Sequence, residues 1–103
     1  MASVGSAVPA LDVLRVAVSP TPGVGPFRFQ WELAQPRQLT LRVHNVLGRC
    51  LSDQVLGNFP AGPGQARWEA RDARGVPLPA GTYFYRLTDD RGQGAEGKLV
   101  LVP

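Results

Sequence analysis

Phe27-Arg28-Phe29-Gln30-Trp31-Glu32-Leu33 is the stretch that decides the fold. Large apolar side chains stand at 27, 29, 31 and 33, with Arg, Gln and Glu between them. A period of two belongs to a β-strand, whose successive side chains point to opposite faces. Four bulky groups on one face must be core. A slip of one residue would expose all of them, so the register is strongly specified.

The same alternation recurs on both sides. Leu14, Val16 and Val18 alternate with Arg15 and Ala17, and the breaker run Ser19-Pro20-Thr21-Pro22-Gly23 stops that strand. Beyond a turn at Gln35-Pro36-Arg37, Leu39, Leu41 and Val43 alternate with Thr40, Arg42 and His44. Leu47-Gly48-Arg49 reads as a hairpin-like turn, followed by a fourth strand over 50–56 and a loop over 57–64. Ala66 and Trp68 lie on a fifth strand, opposite Arg67 and Glu69. A turn at Arg71-Asp72-Ala73-Arg74-Gly75 and a crossing at Pro77-Leu78-Pro79 lead to the next sheet edge. Tyr83, Tyr85 and Leu87 alternate with Phe84 and Arg86 on a sixth strand. Asp89-Asp90-Arg91-Gly92 is a tight turn, and 98–102 form a seventh strand. No window has helical periodicity and no internal repeat is evident. Seven short strands imply an all-β, two-sheet antiparallel sandwich.

Composition agrees. Among 103 residues there are 12 Gly and 10 Pro, which excludes a long-helix protein. The length suits one domain, placed at 11–103, behind a flexible leader or linker at 1–10. The net charge is +3, but the Arg residues are scattered and Lys98 is the only Lys. No basic stripe with aromatic platforms forms, which argues against a nucleic-acid partner. No apolar run is long enough to span a membrane as a helix. The leader lacks a basic segment before its apolar residues, so it is a poor signal peptide. Cys50 is the only cysteine, which excludes an intrachain disulfide.

Several stretches over 39–102 carry a resemblance. They are Leu41-Arg42-Val43-His44-Asn45-Val46-Leu47-Gly48-Arg49, then Trp68-Glu69-Ala70-Arg71-Asp72-Ala73-Arg74-Gly75, then Leu78-Pro79-Ala80-Gly81-Thr82-Tyr83-Phe84-Tyr85-Arg86-Leu87, and last Gly97-Lys98-Leu99-Val100-Leu101. Together they resemble the immunoglobulin-like domain of the flagellar hook-capping protein family. They are equally similar to the C-terminal sorting domains of type IX secretion. Ser19-Pro20, Asn45 and Glu69-Ala70 depart from the Asn-Pro, Asp and Asp-Gly usual in those families. The resemblance implies an immunoglobulin-like, fibronectin III-like sandwich that is a non-enzymatic C-terminal module of a secreted or cell-surface bacterial protein, part of a longer precursor, acting in secretion, sorting or surface attachment. It implies protein partners: secretion machinery or neighbouring subunits. The residues expected to meet a partner are Lys98, Leu99, Val100 and Leu101. Those expected to shape the motif are Gly48, Trp68, Asp72, Gly75, Gly81, Tyr83 and Tyr85. Gly48 and Gly75 suit positive-φ turns, Gly81 a close approach or corner, and Asp72 an Asx-type cap. The Trp68 ring suits the space between sheets, where its burial is worth roughly 3 kcal/mol. The Tyr pair suits the core edge, with hydroxyls reaching water.

The search for chemistry ends without a site. His44 reads as solvent-facing, and Cys50 as a small buried side chain. The two could approach across a hairpin, but nothing supplies the electropositive pocket and oxyanion hole that a Cys–His dyad needs. One His and one Cys are too few for zinc, and Asp89-Asp90 lacks the spacing of a calcium loop. Gly62-Pro63-Gly64 lacks the Lys-Ser/Thr ending of a phosphate loop. The expectation is therefore no enzyme, no metal and no cofactor. What remains is protein contact through the first or last strand, as edges that can accept another chain's strand. The leader, with Val4 and Val8, is the candidate donor strand. In a second reading the chain is a structural subunit of an extracellular filament, cap or appendage, associating as a homo-oligomer through those edges or through the leader. A third, carbohydrate binding, would need Trp31, Trp68, Tyr83 and Tyr85 at the surface, and alternation puts Trp31 and the Tyr pair inside.

Overall fold

A computed structural model describes residues 13–103. The leader at 1–10 lies outside the described residues, so its role as linker or donor strand stays an expectation. Seven strands follow: β1 (Val13–Ser19), β2 (Phe27–Leu33), β3 (Arg37–His44), β4 (Cys50–Phe59), β5 (Gly62–Trp68), β6 (Gly81–Asp89) and β7 (Gly94–Leu101). They form two antiparallel sheets, ordered β1-β2-β5 and β4-β3-β6-β7. The all-β two-sheet sandwich read from the sequence is the fold.

The period of two translates directly into burial. Phe27, Phe29, Trp31 and Leu33 are buried on β2, and Leu39, Leu41 and Val43 on β3. Tyr83, Tyr85 and Leu87 are buried on β6. Rings lock the sheets together across the core. Phe29 meets Tyr85 edge-on at 5.0 Å between centroids, and Trp31 meets Phe59 edge-on at 4.9 Å. Within the smaller sheet Trp68 lies opposite Phe27, 6.1 Å away. Aromatic pairs in such geometries add about 0.5–1.5 kcal/mol each beyond the burial of their area.

Three details differ from the sequence reading. First, 57–64 is not a loop: β4 runs on to Phe59, and Pro60 and Ala61 alone link it to β5. Leu56 is an extra residue between the pairs Leu39–Gly57 and Thr40–Val55, and Gly57 takes φ 122°. This bulge bends the strand and carries Phe59 to Trp31. Gly64 is needed for contact rather than for a turn, because a Cβ there would collide with the Trp31 indole. Second, β7 starts at Gly94, and β6 lies inside the larger sheet rather than at its edge. Third, Cys50 is exposed, not buried. A second bulge, at Leu51, falls between the pairs Val43–Ser52 and His44–Cys50. It reverses the inward-outward order, so Ser52 is buried while Cys50 opens outward.

Three turns share one construction. Oδ1 of Asn45 accepts the N–H groups of Leu47 and Arg49, Oδ1 of Asp72 those of Arg74 and Val76, and Oδ1 of Asp89 those of Arg91 and Gln93. In each, the N–H three residues on returns to the first residue's carbonyl, and that residue is a left-handed glycine: Gly48 at φ 84°, Gly75 at 81° and Gly92 at 79°. A side-chain acceptor plus a left-handed glycine makes each turn self-sufficient. Asn45 meets this need with the same wiring, because its amide oxygen accepts the two N–H groups that a carboxylate oxygen accepts at Asp72 and Asp89.

Candidate recognition surface at the last strand

β7 and β1 are both outermost strands of their sheets. The register of β7 on β6 sets what it offers: Leu99 lies opposite Tyr83, Lys98 opposite Phe84, Gly97 opposite Tyr85 and Glu96 opposite Arg86. Leu99 and Leu101 are therefore core residues, 0% and 6% exposed. Val100 is half-buried, and its outward backbone is occupied. Its N–H donates to Thr21 Oγ1 at 3.0 Å, and its C=O accepts the Gly23 N–H at 3.0 Å. The Val102 N–H closes the seal on the Gly23 carbonyl at 2.8 Å. Of the four residues expected to meet a partner, Lys98 alone presents an exposed side chain.

Sequence reading missed this seal because it pairs residues almost 80 positions apart, and no local pattern announces it. The free edge is the other half of β7. Alternate residues of an antiparallel edge turn their N–H and C=O outward. Val100 does so, hence Lys98 and Glu96 do too, and among the described residues no backbone group outside the sheet bonds to them.

The outer face of the larger sheet adjoins this edge. His44, Phe84, Arg86, Glu96, Gly97 and Lys98 are among the residues lining a shallow depression of about 510 Å³ there. Phe84, one of these residues, is 44% exposed. A charged row runs beside it, in the order Asp53, Arg42, Arg86, Glu96 across β4, β3, β6 and β7. The Arg42 Nε lies 3.1 Å from Asp53 Oδ2. His44 and Cys50 are cross-strand partners, but the Cys50 thiol points to the Ser52 carbonyl at 3.5 Å. Among the described residues no three His, Cys, Asp or Glu side chains gather to hold a metal.

The remaining motif residues have structural neighbours. Trp68 is 4% exposed, and Trp31 and both tyrosines are also buried, so these rings offer no sugar platform. The Tyr83 hydroxyl donates to the Pro79 carbonyl four residues upstream rather than reaching water. The Tyr85 ring covers Gly97, where a Cβ would lie 2.6 Å from its hydroxyl. Burial pushes both phenols above the usual tyrosine value of 10.0. Gly81 has open space around it, so its φ of 157° and not a close approach is what sets it apart.

Comparison with known proteins places this architecture. No functionally curated protein matches the chain. Among solved structures, dimeric latent PorU from Porphyromonas gingivalis superposes with a TM-score of 0.72 at 17% identity, over 84% of this chain and 9% of PorU. PorZ from the same bacterium, described as an essential surface component of the type-IX secretion system, gives 0.56 at 18%, over 85% of this chain and 11% of PorZ. FlgD from P. aeruginosa gives 0.61 at 22%, over 88% of this chain and 75% of FlgD. The chain thus matches a small fraction of PorU and PorZ and three-quarters of the FlgD chain. At these identities the structures testify to fold. The sequence profile of the FlgD Ig-like domain adds kinship, matching residues 16–93 and leaving Lys98 to Leu101 beyond its end. With three-quarters of the chain inside that profile and the same sandwich in each neighbour, the chain belongs to the FlgD Ig-like domain family.

Proposed function

We propose that this chain is a non-enzymatic module of a larger exported or cell-surface bacterial protein, serving its secretion, sorting or surface attachment. Its family is a non-catalytic, protein-interaction class of domain. The observation that carries the finer reading is its likeness to small portions of PorU and PorZ, the second a type-IX secretion component. Partner contact falls on the free half of β7, with Lys98 and the outward backbone of Glu96 and Lys98 as the contact groups. Leu99 and Leu101 anchor the strand from inside. Val100 ties it to Gly23, so the partner meets a preformed edge.

The test is an immunoblot of fractionated source cells with an antibody against this chain. A large precursor inside the cells, with the chain lost from the mature surface form, supports a cleaved export module. A free species of this chain's own mass within a high-mass extracellular assembly overturns it in favour of a structural subunit.

A further inference from the structure

A second surface lies at one end of the sandwich, where the 45–49 and 72–76 turns come together. The Ala73 N–H donates to the Leu51 carbonyl at 3.0 Å, which pins the second turn beside the start of β4. Between them is a depression of about 310 Å³, with Arg49 and Arg74 among its lining residues. Carboxylates near this end are already engaged. Asp53 pairs with Arg42 at 3.1 Å and Glu69 with Arg67 at 2.8 Å. Asp72 Oδ1 holds its own turn. Arg49 and Arg74 have no carboxylate partner among the described residues. Beside them the first turn lifts Leu47, 88% exposed, and Val46, 66% exposed, into solvent. A turn that needs only its Asx acceptor and its glycine has no structural use for leucine at the tip.

The geometry points to this end as a docking surface for an acidic, leucine-like apolar segment of a partner protein. Its carboxylates would pair with Arg49 and Arg74, and its apolar side chains would cover Leu47 and Val46. Charge complementarity selects the occupant: a guanidinium fork matches a carboxylate bidentately. Anionic membranes are the weaker match, because polybasic lipid sites use clusters of about 4–8 cations. This surface is separate from the β7 edge, so its test does not depend on the export reading.

The experiment is fluorescence anisotropy with the whole 103-residue chain. The probes are a labelled decapeptide of alternating Asp and Leu, its Lys-Leu counterpart, and vesicles of phosphatidylcholine with phosphatidylserine. The Asp-Leu peptide is expected to bind, more weakly as salt rises. Arg49→Glu and Arg74→Glu should each weaken it about tenfold, as loss of a charge-assisted bond does. Arg28→Glu and Arg91→Glu, made as separate single variants, change net charge by the same amount as each test variant and should leave binding unchanged. Leu47→Ser, at a tip too exposed to affect folding, should also weaken it. No binding of the Asp-Leu peptide, equal loss with the Arg28→Glu or Arg91→Glu variant, or capture by the vesicles alone overturns the proposal.

Discussion

Asp89 does two separable jobs, holding its own turn through Oδ1 and facing a buried cation through Oδ2, and substitution separates them. Its residue is 6% exposed, with the carboxylate fully out of solvent. Oδ1 accepts two backbone N–H groups at 2.8 and 2.9 Å, which hold the β6–β7 turn. Oδ2 has no hydrogen bond and faces the Arg37 guanidinium 3.7 Å away. Asp89→Asn keeps an acceptor for both amides, as Asn45 does in the β3–β4 turn. It puts an amide N–H₂ opposite Arg37, so a buried donor faces a cation. That unsatisfied contact should cost about 1–3 kcal/mol. Asp89→Ala also strands both backbone donors and breaks a buried pair, for a total of about 3–5 kcal/mol. In a domain this size 1 kcal/mol moves the Tm by about 4–8 °C. Asp72→Asn, in a turn that faces no buried cation, should change the Tm little. Thermal unfolding followed by Trp fluorescence ranks the three: Asp72→Asn near wild type, Asp89→Asn intermediate, Asp89→Ala lowest. If Asp89→Asn fell as far as Asp89→Ala, the division between turn acceptor and ion pair would be wrong. If Asp72→Asn fell as far as Asp89→Asn, burial would not be the deciding variable.

Other outcomes follow from the packing. Gly97→Ala puts a methyl 2.6 Å from the Tyr85 hydroxyl and should cost about 1–3 kcal/mol by overpacking, read from denaturant midpoints. Gly81→Ala meets no neighbouring atom, so any loss there reads the cost of its φ of 157° alone and not of crowding. Trp68→Ala should cost about 3–5 kcal/mol in the same assay, because the ring is buried against Phe27. Burial raises the phenol pKa of Tyr83 and Tyr85, so the folded state favours the protonated form. The stability this gives is complete below the unfolded value near pH 10 and declines as pH rises from there towards the folded values. Tyrosinate absorbance for these two residues should therefore appear only with the Trp fluorescence change of alkaline unfolding. Its appearance well before unfolding would contradict their burial.

What was legible in the sequence was whatever a single strand encodes by itself. The alternation at 27–33 predicts which side chains of β2 are buried, because the pleat converts period into facing without reference to the partner strand. The same holds for β3 and β6. Where a bulge intervenes the parity argument breaks. Cys50 and Ser52 share parity by count, but the extra residue at Leu51 puts one outside and the other inside. The loop read at 57–64 failed for a related reason. Gly57 serves the Leu56 bulge and Gly64 the space under Trp31, so the glycines that look like loop signals are packing devices within strands. The turns were half legible: spacing of Asp72 and Gly75 suggested a cap, whereas the identical wiring at Asn45 and Asp89 emerges only from the hydrogen bonds.

The partner surface depends on the least local information of all. A terminal Lys-Leu-Val-Leu run invites the inference that the whole strand is on offer. In the folded chain two of those side chains are core and the backbone of a third is held by the proline-rich segment after β1. That segment does more than end a strand. By bonding Val100 and Val102 it blocks the last residues of the edge from pairing with foreign strands, a common need of exposed edges. The stretch it leaves open, around Glu96 and Lys98, carries one charge of each sign, which discourages adventitious pairing and still permits a partner with the opposite order of charges. Reversing the pair as Glu96→Lys with Lys98→Glu keeps net charge and the strand register; it sets a Lys opposite Arg86, so the fold should persist with a Tm lowered by the roughly 0.2–1 kcal/mol of one exposed like-charge pair. Pull-down of the native partner from source-cell envelopes should then fall several-fold. If capture is undiminished while the variant unfolds cooperatively within a few degrees of wild type, recognition does not run through this edge.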